Sequence, residues 1–235
     1  MSNQTTKRIN KHHSSDQRIK MIAICGMLAA LAYVITFVCR LPIIPGFSFL
    51  ELEFKSAIIL IGGFIYGPLA GFAISAVVCF LEMLTFSHTG FIGFIMNLLA
   101  TTAFVCPAAF IYKRKRSLVS AVIGIAVGTL SMTLAMVLWN YLITPIYMPF
   151  MTREEITKLL LPVFVPFNLI KGALNASATL LLYKFVVSAL RKANLLPKGE
   201  SHSTKRNSTF IASILISVIV IAGCTLAILA FNNII

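Results

Sequence analysis

The chain has 235 residues, of which 58% are hydrophobic and only 11% are charged, and this balance excludes an ordinary soluble domain. Lysine and arginine total 20 against 7 acidic residues, a formal net charge of +13. Because the basic residues stand in short runs between apolar segments, the positive-inside rule explains the excess better than nucleic-acid binding does. The composition predicts an all-α integral membrane protein of the cell membrane, in contact with lipid.

A basic tail over residues 1–19 precedes the first predicted span, which runs from about Met21 to Cys39. The basic residues in front of this span place the N-terminus in the cytoplasm. Within it, two pairs of small residues spaced i, i+4 allow another helix to approach closely. The pairs are Cys25 with Ala29 and Gly26 with Ala30. This face is either the contact surface for a partner protein or ordinary packing within the bundle.

The next segment, residues 40–55, contains two prolines and a glycine that interrupt the helix. It follows an outward span and therefore lies outside. It is unusually apolar for an exposed loop, with Phe47, Phe49 and Leu50 among its residues. These side chains suit a lid over a pocket, although a loop that dips into the lipid headgroups would use them equally well.

Six more apolar runs follow, at 56–66, 69–86, 91–112, 118–144, 162–184 and 208–231. The first two are separated by Gly67-Pro68, so their inner turn must be tight. Near the outer end of the second, Glu82 pairs with a base, is protonated or reaches the headgroups; the sequence leaves these options open. Basic clusters place residues 113–116 and the linker 191–207 inside. We predict a six-helix domain over 20–190 and an additional transmembrane helix within 208–235, with the C-terminus outside.

Polar residues stand in the outer parts of three spans: Asn97, Asn140, Asn168 and Lys171. Asn168 and Lys171 are spaced i, i+3 and share a helix face. A lysine near the centre of a lipid-exposed helix costs about 2.5–3.5 kcal/mol, so Lys171 is expected to face a protein interior or cavity. At 1.5 Å per residue, all four lie within roughly the outer third of a core about 30 Å thick. We interpret them as one binding layer, with a structural carboxylate pair as the alternative for Lys171.

The chemistry of this layer favours binding over catalysis. Asparagine amides donate and accept hydrogen bonds at once, which suits a flat heterocycle with alternating carbonyl and N–H groups. Trp139 can stack on such a ring, and a place in the aromatic belt explains it about as well. The four histidines lie outside the spans and the five cysteines form no CxxC pair, so we expect no metal site and no catalytic residue.

A family resemblance rests on several stretches of residues 20–190. They are the Ala-rich first span from Cys25 to Ala32, Phe49-Leu-Glu-Leu-Glu-Phe-Lys-Ser, Gly62-Gly-Phe-Ile-Tyr-Gly67-Pro-Leu-Ala-Gly71, Gly93-Phe-Ile-Met-Asn97, Asn140-Tyr-Leu-Ile-Thr-Pro145-Ile-Tyr147 and Phe167-Asn168-Leu-Ile-Lys171-Gly172. Together they resemble the substrate-binding S components of energy-coupling factor (ECF) vitamin transporters, in particular the riboflavin-specific ones. The last two stretches are the specific ones.

The resemblance implies a six-helix S-component bundle that binds riboflavin on its outer side as a transported substrate, not as a cofactor. It implies that Asn140, Asn168 and Lys171 contact the flavin ring, and that the first outer loop is the lid. It also implies that the small residues of the first helix meet a transmembrane coupling protein, which works with two ATPases. Glu51 and Glu53 depart from the family pattern, in which this loop often carries Lys and Asp. An S component for another small vitamin or a flavin analogue, and a non-transporting scaffold, are the alternative functions.

Overall fold

The computed structural model describes residues 2–42, 50–85, 90–147, 151–193 and 195, and within the C-terminal segment 214–215, 217–219 and 221–226; for residues 2–16 and 41–42 it describes the backbone alone. In chain order, the elements are α1 (Ser2–Val38), β1 (Arg40–Pro42), β2 (Glu51–Glu53), α2 (Lys55–Tyr66), α3 (Pro68–Thr85), α4 (Gly90–Lys115), α5 (Leu118–Leu142), α6 (Thr144–Tyr147), α7 (Arg153–Leu159), a π-helical turn (Leu160–Phe164) and α8 (Val165–Lys192).

Six apolar helices, α1 to α5 and α8, form a multi-pass bundle, which confirms the predicted all-α membrane fold. Five stretches are long and apolar enough to cross a membrane; they are Gln17–Val38, Pro68–Thr85, Gly90–Lys115, Leu118–Ile146 and Arg153–Lys192. Helix α2 has only 12 residues, and those from Lys55 to Phe64 are all buried. At 1.5 Å per residue it is about 18 Å long, so it is a short central helix enclosed by the longer ones.

The turn between α2 and α3 is as tight as the sequence predicts. Only Gly67 separates the two helices, and its φ of 100° lies in the left-handed region that glycine adopts without steric cost. The backbone N–H of Gly67 donates to the carbonyl of Gly63 at 2.7 Å and closes the end of α2. The C-terminal parts of α2, α4 and α8 also meet, because the hydroxyls of Tyr112 and Tyr183 lie 3.0 Å apart beside Phe64.

The outer segment after α1 contains a β-hairpin that sequence reasoning missed. Strands β1 and β2 pair antiparallel, with Arg40 opposite Glu53. Side chains alternate along a strand, so Leu50 and Leu52 point into a small apolar cluster while Glu51 and Glu53 point to its other side. This alternation, apolar on one side and charged on the other, is the signal that predicts a half-buried strand.

A second difference concerns the start of the last helix of the bundle. The sequence predicts that this span begins at Pro162, after a loop. The chain is helical from Arg153 to Lys192. Thr152 and Glu155 form a capping box that starts α7, each side chain accepting from the other residue's backbone N–H. Pro162 lies within the π-helical turn, where the wider ring lets a residue without an N–H continue the helix.

The predicted seventh span, 208–231, lies largely outside the described residues. Its described part includes a short apolar helix, Ser217–Leu226. The hydroxyl of Ser217 donates to the carbonyl of Ser177 in α8 at 3.3 Å. This segment therefore packs on α8, and its crossing of the membrane stays a prediction.

Candidate substrate-binding site

Helix α8 presents a polar face to the interior of the bundle. Asn168, Lys171 and Asn175 are spaced by three and four residues, so they lie on one side of the helix. Each exposes 9% of its surface or less. The lysine therefore avoids lipid, as the cost of inserting its charge requires.

Strand β2 binds the ammonium group of Lys171. Its Nζ lies 2.9 Å from Oε1 of Glu53 and 3.2 Å from the carbonyl oxygen of Glu51. A lysine has three N–H donors, so these contacts leave one for another acceptor. The carboxylate pairing that the sequence left open as the structural alternative is thus present. It does not exclude ligand binding, because these contacts use two of the three donors and 11% of the side-chain surface is exposed among the described residues.

The pair of Lys171 with Glu53 continues into a buried network of four charges. Oε2 of Glu53 lies 2.9 Å from Nζ of Lys55, and that Nζ lies 2.5 Å from Oε2 of Glu82. The side chain of Lys55 is completely buried. Two cations and two anions alternate, so the network is neutral and joins α8, β2, α2 and α3. The sequence leaves open whether Glu82 pairs with a base, is protonated or reaches the headgroups. The structure shows that it pairs with Lys55.

Glu53 is the central anion of this network, in β2, outside the membrane-spanning helices. Burial raises the pKa of its carboxyl, but the ammonium groups of Lys171 and Lys55 outweigh burial and lower the pKa to about 2. Glu53 is therefore ionised at any physiological pH, and its two oxygens hold both cations in place.

Asn175 joins the same strand to α8 through its amide group. Its Nδ2 donates to the carbonyls of Glu53 and Lys171, both at 2.9 Å, and its Oδ1 accepts from the backbone N–H of Ala57 at 3.0 Å. Both amide hydrogens are used. Asn175 therefore connects the junction of β2 and α2 to α8.

Asn140 and Asn168, two of the three predicted asparagines, retain hydrogen-bonding groups. Asn140 donates through Nδ2 to the carbonyl of Met136 at 2.7 Å and accepts from the hydroxyl of Thr144 at 2.9 Å. Asn168 donates through Nδ2 to the carbonyl of Phe164 at 2.8 Å. An amide has two N–H groups and a carbonyl with two lone pairs, so among the described residues Asn140 and Asn168 each keep one N–H and at least one lone pair without a partner. Asn97 is half-buried in α4.

Two of the predicted site residues, Asn140 and Lys171, do not lie at one depth. Helix α8 meets α5 where a Cβ on Gly172 would lie 2.4 Å from Cγ2 of Thr129. Asn140 lies eleven residues outward of Thr129, whereas Lys171 lies one residue outward of Gly172. At 1.5 Å per residue, this difference amounts to about 15 Å. The predicted layer is instead a polar column, because the helix that contains Lys171 begins at Arg153 and not at Pro162, the residue from which the predicted depth is counted.

Trp139 lies beside this column in α5 and packs against the main core. Its indole N–H is buried and has no hydrogen-bond partner among the described residues. A buried donor normally finds an acceptor, so this N–H is a candidate to bind a ligand oxygen. The alternative place in the aromatic belt does not explain a buried N–H.

The predicted lid is only partly described, since Phe47 and Phe49 lie outside the described residues. Leu50 is buried, and its apolar cluster includes Phe164 at the end of the π-helical turn and Phe167 at the start of α8. The described end of the loop thus packs on protein, at the outer end of the polar column.

The two small-residue pairs of α1 face different ways. Ala29 is in the core with 5% exposure, and Cys25 packs against that core. Gly26 and Ala30 are exposed, and a Cβ on Gly26 would meet nothing within 4 Å. Gly26 and Ala30 are therefore the more accessible pair, and the contact of this face with a partner stays a prediction.

Sequence reasoning missed Glu53 and Lys55 as members of the site. A signal was available in the charge balance, because Lys171 needs a buried anion and Glu82 a buried cation. Glu53 and Lys55 are the charged residues next to the shortest apolar run. Matching each buried acid with a base identifies both.

Comparisons with known proteins agree with this architecture. A family model described as "ECF transporter, substrate-specific component" matches residues 20–183. The chain is 32% identical over 182 residues to the riboflavin transporter RibU of Staphylococcus aureus (strain TCH60), a match that covers 75% of this chain and 95% of that protein. It is 32% identical over 164 residues to the riboflavin transporter FmnP of Bacillus subtilis (strain 168), covering 66% and 85%.

A solved structure, the S component of a bacterial ECF transporter, has the same fold. Its TM-score is 0.61 at 32% sequence identity, with 74% of this chain and 99% of that chain covered. These relatives are transport proteins, which confirms the prediction of a non-catalytic protein.

Proposed function

This chain belongs to the family of ECF transporter substrate-specific components, and we propose that it is the membrane subunit that binds riboflavin with high affinity and delivers it inward. The observation that carries this proposal is 32% identity to two riboflavin transporters, each matched over 85% or more of its length. Riboflavin is the transported substrate and not a cofactor.

The chemistry of the polar column supports a flavin ligand. The third N–H of Lys171, the remaining amide groups of Asn168 and Asn140, and the indole N–H of Trp139 are donors and acceptors along one side of the bundle. Riboflavin has carbonyl and N–H groups on its ring and hydroxyl groups on its ribityl chain, so its polar groups can meet donors and acceptors at different depths of the column. Asn97, in the neighbouring helix α4, adds a further amide. The hairpin, with Leu50 at its described end, covers the outer end as a lid.

Transport needs partners that the chain itself does not contain. The sequence has no GxxxxGK[ST] motif, so it has no nucleotide-binding loop of this type. We assign the energy supply to two ATPases, connected through a transmembrane coupling protein that contacts Gly26 and Ala30 of α1. The N-terminus is cytoplasmic in this arrangement, so these two residues lie near the inner side, far from the ligand.

The test is to purify the protein and record its visible spectrum, because bound flavin absorbs blue light. Riboflavin affinity then follows from quenching of flavin fluorescence. Asn168→Leu is the most direct variant, because the one hydrogen bond it removes within the described structure is to a carbonyl of its own helix. We expect a loss of more than about 1 kcal/mol in binding free energy. Lys158→Met, an exposed residue of α7, is the control.

Two results would contradict the proposal. Purified protein that neither contains flavin nor quenches added riboflavin, but binds another vitamin in a competition panel, would make it an S component of different specificity. Protein that binds no vitamin at all would indicate the scaffold function. Unchanged affinity of Asn168→Leu would remove this residue from the site.

A further inference from the structure

The carboxylate of Glu53 is shared between two lysines from different helices. Oε1 lies 2.9 Å from Nζ of Lys171 in α8, and Oε2 lies 2.9 Å from Nζ of Lys55 in α2. The side chain of Glu53 exposes 7% of its surface. Both oxygens therefore have a cationic partner, and the carboxylate cannot rotate without breaking one of two buried ion pairs.

Two further contacts restrain this carboxylate. Lys55 is itself bound by Glu82 of α3 at 2.5 Å, so it cannot follow a movement of Glu53. The amide of Asn175 donates to the backbone carbonyls of both Glu53 and Lys171. The strand and α8 are thus joined at the same two residues through backbone and side chains alike.

A lysine needs such restraint to bind a ligand in a defined geometry. Its ammonium ends a flexible four-carbon stem and samples many positions when unrestrained. Here two of the three N–H donors of Lys171 bind oxygens of β2. These contacts fix the position of the nitrogen and the direction of the third N–H. We propose that Glu53 is a positioning residue, which holds the Lys171 ammonium in the orientation that binds the transported ligand. This inference rests on the proposed function.

The consequence is that the affinity for the ligand depends on a residue that does not touch it. Preorganisation lowers the cost of ordering a side chain on binding. Because Glu53 belongs to the hairpin that covers the site, the strand that forms the lid also sets the position of a ligand-binding group on α8.

The experiment compares three glutamates by the same substitution in the full-length protein. Glu53→Gln removes the positioning anion. Glu82→Gln removes the other anion of the same network, which does not contact Lys171, and Glu51→Gln removes the side chain that pairs with Arg40 in the hairpin. We expect riboflavin affinity to fall about tenfold in Glu53→Gln, to fall less in Glu82→Gln, which acts on Glu53 only through Lys55, and to stay within about threefold in the control Glu51→Gln. Thermal unfolding of the ligand-free proteins is measured alongside.

A double variant separates positioning from general stabilisation. If Glu53 acts through Lys171, Glu53→Gln adds little further loss of affinity in a Lys171→Met background. Independent, multiplying losses would overturn the inference, as would a loss in Glu82→Gln as large as that in Glu53→Gln. Failure of the wild-type protein to bind riboflavin would instead overturn the proposed function.

Glu53→Asp covers the case in which Glu53→Gln does not fold. It keeps the charge that balances both lysines but withdraws the carboxylate by one C–C bond, about 1.5 Å. We expect nearly normal thermal unfolding with affinity at least about threefold weaker. Unchanged affinity in this variant would show that charge balance alone is required.

Discussion

Replacing Lys55 by methionine tests whether the buried charges form a single coupled network. Lys55 is completely buried and contacts two carboxylates, at 2.9 Å to Glu53 and 2.5 Å to Glu82. Methionine has a similar length and no charge, so the substitution removes the ammonium and largely preserves the packing. The neutral network of four charges then becomes a network of three, Glu53, Glu82 and Lys171, with a net charge of −1.

The expected cost follows from which carboxylate loses its partner. Breaking a buried ion pair by removing one member costs about 3–5 kcal/mol. In this chain Glu53 keeps Lys171, but Glu82 keeps no cation, and its Oε1 has no hydrogen-bond partner among the described residues to begin with. We therefore expect Lys55→Met to lower the free energy of unfolding by about 3 kcal/mol, at the low end of that range.

The double variant Lys55→Met with Glu82→Gln isolates the charge effect. It removes one cation and one anion and leaves Glu53 paired with Lys171. We expect it to recover most of the loss, with about 1 kcal/mol remaining for the missing hydrogen bond. The measurement is denaturant unfolding in detergent micelles, followed by the fluorescence of Trp139, the one tryptophan of the chain. Lys158→Met, at an exposed position, should change the free energy by less than about 0.5 kcal/mol.

Two results would refute this reasoning. A loss below about 1 kcal/mol in Lys55→Met would mean that Glu82 is not dependent on Lys55 for its charge compensation. A double variant as unstable as the single one would show that Lys55 contributes through packing, since restoring charge balance would then have no effect.

Three further predictions follow from the packing of small residues and from the charge pattern. Gly26→Trp should abolish uptake and co-purification with the coupling protein while leaving riboflavin affinity unchanged. Ala29→Trp should instead destabilise the isolated protein, because Ala29 is buried. The same outcome for both variants would contradict the assignment of Gly26 to the partner and Ala29 to the core. Gly128→Ala should cost about 1–3 kcal/mol of unfolding free energy, because its Cβ would lie 2.3 Å from the carbonyl oxygen of Phe104. Gly26→Ala, where the added Cβ meets nothing within 4 Å, is the control and should leave the free energy of unfolding unchanged or raise it by up to about 1 kcal/mol. A reporter fused after residue 235 should score as external, and a cytoplasmic signal would mean that the last apolar run does not span.

Much of the architecture was predictable from the sequence, because it depends on local properties. An apolar run must be helical to satisfy its backbone in lipid, so the lengths and breaks of the runs predicted six helices close to their observed positions. The turn at Gly67 required only a residue that tolerates positive φ. The shared interior face of Asn168 and Lys171 followed from helical periodicity. The capping box at Thr152 and the alternation around Glu53 are local signals of the same kind.

The tertiary structure decided which charges meet and at what depth. Glu53 and Lys171 are 118 residues apart, and nothing local to either residue shows that they pair. The depth of Asn140 relative to Lys171 likewise depends on where α5 and α8 touch, which the contact of Gly172 with Thr129 determines. Periodicity fixes the face on which a residue lies, because each residue's direction is set by its neighbours in the same helix. The partner on that face depends on how separate helices pack, and this is a property of the whole bundle.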